Sequence, residues 1–473
     1  MTELNVDICV IGAGSGGLSV AAGVSQMGAS VVLVEKGAMG GDCLNTGCVP
    51  SKSLLASAHV ARTIGEAEQF GLQVPAPETV WSTVHRHVHE VIGAIAPNDS
   101  QERFEDMGVK VVRARASFID RRTVEADGQK IRAKYFVLAT GSSAFVPPID
   151  GLDGVSYFTN ETIFDNREAI KHLIVIGGGP IGMEMAQAHQ RLGSEVTVME
   201  LARLLPKDDP DLTKVLIQYM SEEGVQFHEG GRNLKLEKKG SSIVATCETA
   251  DGKQQVEGSH LLIATGRKAN VDGLNLEAAD VVYSDRGVQV DPRLRTSNKH
   301  IFAVGDVAGP YQFTHMAAYQ ASIVIRNMLF RLPAKVDYSA VPWVTYTDPE
   351  LAHVGLTEAD AESKGLQTRI LRWPFTENDR AQAERRTEGL VKVVTSKKGL
   401  ILGASIVGLH AGELIQPWVL AIRQKMKIGA MANMIAPYPT LAEVNKRIAG
   451  SYYTETLFSE RTRKIVRFLL RFS

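Results

Sequence analysis

One pattern is written twice in this chain, and it constrains the fold more than any other feature. The apolar run Val6–Ile11 ends in Gly12-Ala13-Gly14-Ser15-Gly16-Gly17, a helix pattern follows, and a second apolar run, Ser30–Val34, closes on Glu35. Further along, Leu173–Ile176 ends in Gly177-Gly178-Gly179-Pro180-Ile181-Gly182, and another helix pattern leads to Glu195–Met199, closing on Glu200. Each copy reads strand, G-x-G-x-x-G, helix, strand, acid. The glycines permit a tight turn and let the backbone approach a pyrophosphate at the helix N-terminus, where N–H groups and the helix dipole favour anions. The acid accepts hydrogen bonds from ribose hydroxyls. One such fingerprint is weak, since glycine-rich turns are common. Two in full context, each with its acid equally far beyond the last glycine, predict two dinucleotide sites.

Two further segments repeat. Tyr135–Ala139 leads into Thr140-Gly141, and His260–Ala264 leads into Thr265-Gly266-Arg267. Each is an apolar strand closing on Ala-Thr-Gly, as expected near the end of a nucleotide-binding unit. A last buried strand pattern, Ile301–Val304, runs into Gly305-Asp306. This order predicts an insertion: a first nucleotide-binding domain over 1–146 and 269–337, interrupted by a second over 147–268. The 338–473 stretch has no glycine fingerprint. Val391–Val394 and Ile401–Val407 read there as strands around Lys397-Lys398-Gly399, and Ala411–Lys425 as a helix, predicting an α+β domain suited to self-association. The fold class is therefore α/β: two Rossmann-like domains, one inserted in the other, plus a C-terminal domain. A chain of 473 residues with 43 glycines suits that reading.

Cys43 and Cys48 stand five positions apart in Gly-Gly-Asp-Cys-Leu-Asn-Thr-Gly-Cys-Val-Pro-Ser-Lys, residues 40–52, just past the first nucleotide pattern. As a staple, so small a loop would constrain the unfolded chain only slightly. Local proximity is what a pair that opens and closes during turnover needs. Zinc would require two more ligands at matching spacing. Cys9 in the first strand pattern and distant Cys247 do not provide them, so no metal site is expected. Four cysteines do not make a secreted disulfide framework, and a reducing, cytoplasmic location is expected. The N-terminus lacks a signal-peptide pattern, and no apolar run approaches the roughly 20 residues of a membrane span. A net charge of -1 gives no global field to recruit nucleic acid or membrane.

The cysteine signature and the doubled glycine motif together resemble the flavoprotein disulfide reductases, which include dihydrolipoamide dehydrogenase, glutathione reductase and mercuric reductase. The resemblance spans nearly the whole chain. It implies FAD on Gly12, Gly14 and Gly17 with Glu35 at its ribose, near Thr140 and Gly141, and Asp306 at the ribityl or pyrophosphate region. It implies a nicotinamide dinucleotide on Gly177, Gly179 and Gly182, with Glu200 and Gly266. It implies Lys52, paired with Glu184, beside the reactive part of the flavin, where a cation stabilises charge developing on the reduced ring. It also implies a homodimer through the C-terminal domain, with an active site shared between subunits. Cys48 would face the flavin and Cys43 would exchange with substrate. An acid at Glu200 favours the free 2′-hydroxyl of NAD over the 2′-phosphate of NADP, and nearby Arg203 softens that preference. Pro180 occupies the place of a pocket-gating tyrosine in some relatives; a proline opening a helix is an equally good structural reading.

One departure bears on the substrate. Lipoamide and glutathione reductases carry His-Pro-Thr followed by a glutamate near the C-terminus as acid and base. Here the segment is Ala436-Pro437-Tyr438-Pro439-Thr440-Leu441-Ala442-Glu443. An unperturbed tyrosine, with a pKa of about 10, is a poor base at neutral pH. Losing a general base typically costs on the order of 10²–10⁴ in rate. Mercuric reductases also carry tyrosine there, and Ala411-Gly412-Glu413-Leu414-Ile415-Gln416 with Ala421-Ile422-Arg423 is similar to them. They also use a C-terminal cysteine pair, and this chain ends Arg-Phe-Leu-Leu-Arg-Phe-Ser. Tyr438 and Glu443 are the catalytic candidates here, and three readings of Tyr438 stay open: catalytic, metal-contacting or structural. The expected activity passes electrons from NADH through FAD and Cys43–Cys48 to a disulfide, a metal ion or a small oxidant. Dihydrolipoamide oxidation by NAD is the named alternative, and a non-catalytic FAD-binding subunit is the rival from another class. The basic, apolar stretch Arg461–Phe472 is expected to dock on the dimer in preference to an anionic membrane.

Overall fold

The computed structural model describes residues 3–250 and 252–472. The chain divides into two compact units, residues 1–201 with 228–337 and residues 202–227 with 338–473.

In the first unit, the strand Glu3–Ile11 pairs in parallel with Val31–Val34 on one side and Gln129–Leu138 on the other. Ile301–Ala303 also joins Gln129–Leu138 in parallel. Cys9, Val10, Leu33 and Phe136 are fully buried, the near-continuous apolar filling of strands covered on both faces. Helix Ser15–Gln26 turns Val20, Ala21 and Val24 into a core shared with Leu33, Phe302 and Val324. The opposite face is filled by Phe118, Ile131 and Phe136. The second copy of the pattern repeats this arrangement, with His172–Ile176 parallel to both Glu195–Met199 and His260–Ile263.

The two Ala-Thr-Gly runs leave their strands alike: the Ala139 N–H donates to Ile11 and the Ala264 N–H to Ile176, each at 2.8 Å. Beyond them, Ser142–Ala144 and Arg267–Ala269 pair antiparallel, so the chain enters and leaves the second copy side by side. A three-stranded antiparallel meander, Arg232–Lys239, Ser242–Thr249 and Gly252–Gly258, completes that region.

The second unit is built on a five-stranded antiparallel sheet in the order Pro342–Thr345, Glu350–Gly355, Ile401–Gly408, Leu390–Ser396, Thr368–Pro374. Trp418 is fully buried against it and donates to Asn445 Oδ1 at 2.8 Å. The single helix expected over Ala411–Lys425 is two helices, Ala411–Leu414 and Gln416–Arg423. Pro417 is the reason, because it has no N–H for the previous turn and opens a helix better than it continues one. Among the described residues no helix is long and apolar enough to cross a membrane.

Lys392 is 4% exposed, and its ammonium contacts Asp209 and Asp211 at 2.8 Å and Glu358 at 2.6 Å. One buried cation thus ties helix Pro210–Glu222 and its capping residue Asp209 to the sheet. Lys392→Met leaves buried Asp209 without its cation, and breaking a buried pair this way costs about 3–5 kcal/mol. Denaturant unfolding of the flavin-loaded dimer is expected to show a loss of that size; unchanged stability would contradict the role given to Lys392.

Candidate active site

The two glycine loops are built alike. Helices Ser15–Gln26 and Pro180–Arg191 are each 12 residues long, with extended Gly14 and Gly179 as N-caps and no side-chain cap on either. Their first N–H groups are therefore left for another acceptor, and an anion suits them. A β-carbon on Gly17 would sit 1.8 Å from the Gly12 carbonyl oxygen, and one on Gly182 would sit 2.0 Å from that of Gly177. Only glycine lets the helix start this close to the strand end. The acids match as well: Glu35 Oε2 accepts the Ala13 N–H at 2.6 Å, and Glu200 Oε2 accepts the Gly178 N–H at 2.7 Å. Both carboxylates are thus fixed against the middle of their loops.

The cysteine segment is pressed against the first loop. Gly41 has φ +62°, and a β-carbon there would meet Gly14 Cα at 2.6 Å. The Gly40 N–H donates to the Ala13 carbonyl at 2.9 Å. Cys43 lies in the short helix Gly41–Asn45, and Cys48 opens the long helix Cys48–Glu66. The two thiols hydrogen-bond each other, and Cys48 Sγ is 3.4 Å from the Thr314 hydroxyl. The Cys43 hydrogen bond is the main influence lowering the Cys48 pKa to about 6, assisted by Thr314 and the Lys52 charge. Cys43 is driven upward by the same partnership and by burial. A start-of-helix position adds N–H dipoles that favour the Cys48 thiolate. Cys9 and Cys247 are buried and unpaired, away from this chemistry.

Lys52 Nζ lies 2.7 Å from Glu184 Oε2, joining the cysteine helix to the helix of the second glycine loop. Glu184 is buried, which fixes its carboxylate as an anchor for the ammonium. A second polar group links Asp42 to Asp306. The Arg267 guanidinium is 3.1 Å from Asp42 and 3.8 Å from Asp306, and it donates to the Ser142 hydroxyl at 2.7 Å. Ser142 in turn donates to Asp306 at 2.5 Å. Burial raises the Asp306 pKa, and Ser142 and Arg267 oppose that shift. The Thr140 hydroxyl is held by the Asn270 carbonyl at 2.7 Å, Asn270 N–H bonds Gly141, and the Gly266 carbonyl accepts Phe145 N–H at 2.9 Å.

Sequence reasoning missed Thr314, Arg267, Asp42 and Ser142 as members of this site. Arg267 and Ser142 were detectable, because they follow Ala-Thr-Gly in the two copies and the short strands carrying them pair. Thr314 opens a helix with no motif around it.

Tyr438 and Glu443 lie in the second unit. Tyr438 is 70% exposed and donates to Asp379 Oδ2 at 3.0 Å. Asp379, with a smaller contribution from Glu443, pushes the phenol pKa up, so it is held protonated at neutral pH. Glu443 opens helix Glu443–Ser451.

Two glycine loops, an adjacent cysteine pair and a cation held by a buried carboxylate define a dinucleotide-dependent thiol–disulfide oxidoreductase. Comparison with known proteins makes this specific. Residues 6–321 match the pyridine nucleotide-disulphide oxidoreductase family model and residues 341–449 match its dimerisation domain. The chain belongs to this family of FAD-dependent enzymes that use pyridine nucleotides, and the dimerisation domain indicates a homodimer. It is 36% identical to a mercuric reductase of Streptomyces lividans over 95% of this chain and 96% of that one. It is 35% identical to a dihydrolipoyl dehydrogenase of Thermus scotoductus over 92% of this chain and 95% of that one. The structure of the HOCl-induced flavoprotein disulfide reductase RclA from Escherichia coli superposes with a TM-score of 0.84 at 25% identity, covering 94% of this chain and 99% of that one.

The lowered Cys48 pKa sets a pH dependence. The thiolate is present above about 6 and is lost as pH falls through that value. Alkylation of Cys48 in the reduced protein, followed against pH, is expected to show that midpoint. Cys43→Ala removes the leading contribution and moves the midpoint toward an ordinary thiol value of about 8.5; Thr314→Ala moves it the same way by less. A midpoint unmoved by Cys43→Ala would show that the two thiols do not set each other's charge.

Proposed function

We propose that this chain is an NADH-dependent reductase that carries electrons through FAD and the Cys43–Cys48 pair to an acceptor requiring no protein base. The opposed pKa directions of the two thiols carry this reading, since they give one thiolate and one proton store in a single pair. In this assignment FAD is held by the 1–146 and 269–337 domain, on Gly12, Gly14, Gly17 and Glu35, with Thr140, Gly141 and Asp306. The nicotinamide dinucleotide is held by 147–268, on Gly177, Gly179, Gly182, Glu200 and Gly266, and residues 338–473 form the dimer. The uncapped helix starts and the glycine cradles support both assignments.

Bound FAD would supply two-electron transfer from NADH to the Cys43–Cys48 disulfide. Opening that bond with an electron pair and one proton leaves a Cys43 thiol and a Cys48 thiolate. Lys52, held by Glu184, supplies positive charge toward Cys48, and Thr314 donates a hydrogen bond to it. The electron pair then passes to the acceptor, the disulfide reforms, and the Cys43 proton is released. Glu200 supports NADH over NADPH, and Arg203 is occupied with the Pro206 and Asp208 carbonyls at 2.9 Å. For the acceptor, the Tyr438 phenol, whose raised pKa makes it a poor proton shuttle at neutral pH, supports a thiophilic metal ion or small oxidant over a disulfide whose leaving thiolate must be given a proton. Buried, unpaired Cys9 and Cys247 suit a reducing cytoplasm.

Two glycine variants test the cofactor assignment. Gly17→Ala is expected to abolish flavin binding, whereas Gly182→Ala is expected to stay yellow while losing flavin reduction by NADH. Loss of flavin from Gly182→Ala alone would reverse the assignment. NADH oxidation with Hg²⁺, Cu²⁺, glutathione disulfide and lipoamide as acceptors tests the rest. Tyr438→His is expected to raise lipoamide turnover on the order of 10²-fold and leave metal-ion turnover unchanged. Fast lipoamide turnover by the unaltered enzyme would instead establish the dihydrolipoamide dehydrogenase reading.

A further inference from the structure

Ser459 caps a helix, Glu460–Leu469, by accepting the Thr462 N–H. Helical spacing gathers Arg463, Lys464 and Arg467 toward one side of the helix and Ile465, Phe468 and Leu469 toward the other, with Arg461 on the apolar side and Arg471 and Phe472 just past the helix end. Within the single chain the apolar side is exposed, with Phe468 at 57%, Leu469 at 60% and Phe472 at 76% exposure. Leu457 and Phe458, just before the cap, continue the exposed apolar surface. Lys464 pairs with Glu460 at 3.7 Å, while Arg461, Arg463, Arg467 and Arg471 make no ion pair among the described residues.

We propose that this C-terminal helix binds an anionic membrane surface, apolar side down, as a peripheral anchor for the enzyme. A protein partner burying the apolar side would still need acids for the arginines. An anionic bilayer interface supplies both an apolar layer and a dense negative surface, the pairing that basic amphipathic helices fit. The dimerisation-domain match ends at residue 449, short of this helix. The sequence alone favours docking on the dimer, and the test below separates that occupant from the membrane. The proposal is independent of the redox assignment.

The test compares the full-length, flavin-loaded enzyme with a chain truncated after Ser459. Both are sedimented with vesicles of phosphatidylcholine alone and of phosphatidylcholine mixed with phosphatidylglycerol. The full chain is expected to bind the anionic vesicles only, and less at high salt. Truncation is expected to abolish binding while dimer mass and flavin reduction by NADH are unchanged. Arg463→Glu with Arg467→Glu is expected to weaken binding at least about tenfold, and Phe468→Ser with Leu469→Ser to weaken it comparably. Failure of the full chain to bind at low salt, or equal binding by the truncated chain, would overturn the proposal. Conversion of the truncated protein to a monomer would overturn it in favour of docking on the second copy.

Discussion

A carbonyl oxygen standing where a β-carbon would otherwise be is the constraint on which the first unit depends. At Gly17 that oxygen belongs to Gly12, and at Gly182 it belongs to Gly177. Each forces a helix to start directly over the end of its central strand. The same closeness brings Glu35 and Glu200 within hydrogen-bond reach of their loops. Gly41 extends the principle, because its left-handed backbone and missing side chain bring the cysteine segment onto the first loop. The redox pair stands beside that loop through backbone geometry, before any side-chain interaction is counted.

Charge then separates two chemically identical thiols. Cys48 is at a helix start, beside Thr314 and under the influence of Lys52, while Cys43 lies in the preceding short helix. Hydrogen bonding between them amplifies the difference, since the thiol that gives its proton stabilises the thiolate that accepts it. Glu184 contributes indirectly by fixing Lys52 from a helix that belongs to the second glycine loop.

What the sequence disclosed follows from which constraints are local. The strand Glu195–Met199 has the boundaries its apolar run predicts, and both acids lie on the loops that their spacing implies. The Cys43–Cys48 contact and the Lys52–Glu184 pair were likewise readable, the latter only through resemblance, since 132 positions separate the two residues. Thr314 was not readable: it reaches Cys48 across 266 positions, and a lone threonine at a helix start ordinarily needs no further purpose. The division of Ala411–Lys425 into two helices follows from Pro417, which removes a helical N–H inside a segment that otherwise reads as one helix.

The tyrosine at 438 and the cysteine pair bear on one another through their protons. A phenol donating to Asp379 has its proton committed and its pKa raised, so it can give a hydrogen bond but cannot take a proton from a thiol. In the proposed reaction the pair therefore has to manage its own proton, and the asymmetry between Cys43 and Cys48 is the means. A soft metal ion displaces that proton by forming a metal–sulfur bond, because thiolate is the ligand form. A disulfide acceptor instead needs a proton delivered to the thiolate it releases, and a phenol with a raised pKa is a poor shuttle for it. In the proposed reaction, tyrosine in place of histidine therefore favours acceptors that need no proton delivered, and the proposed electron path through Cys48 does not involve it.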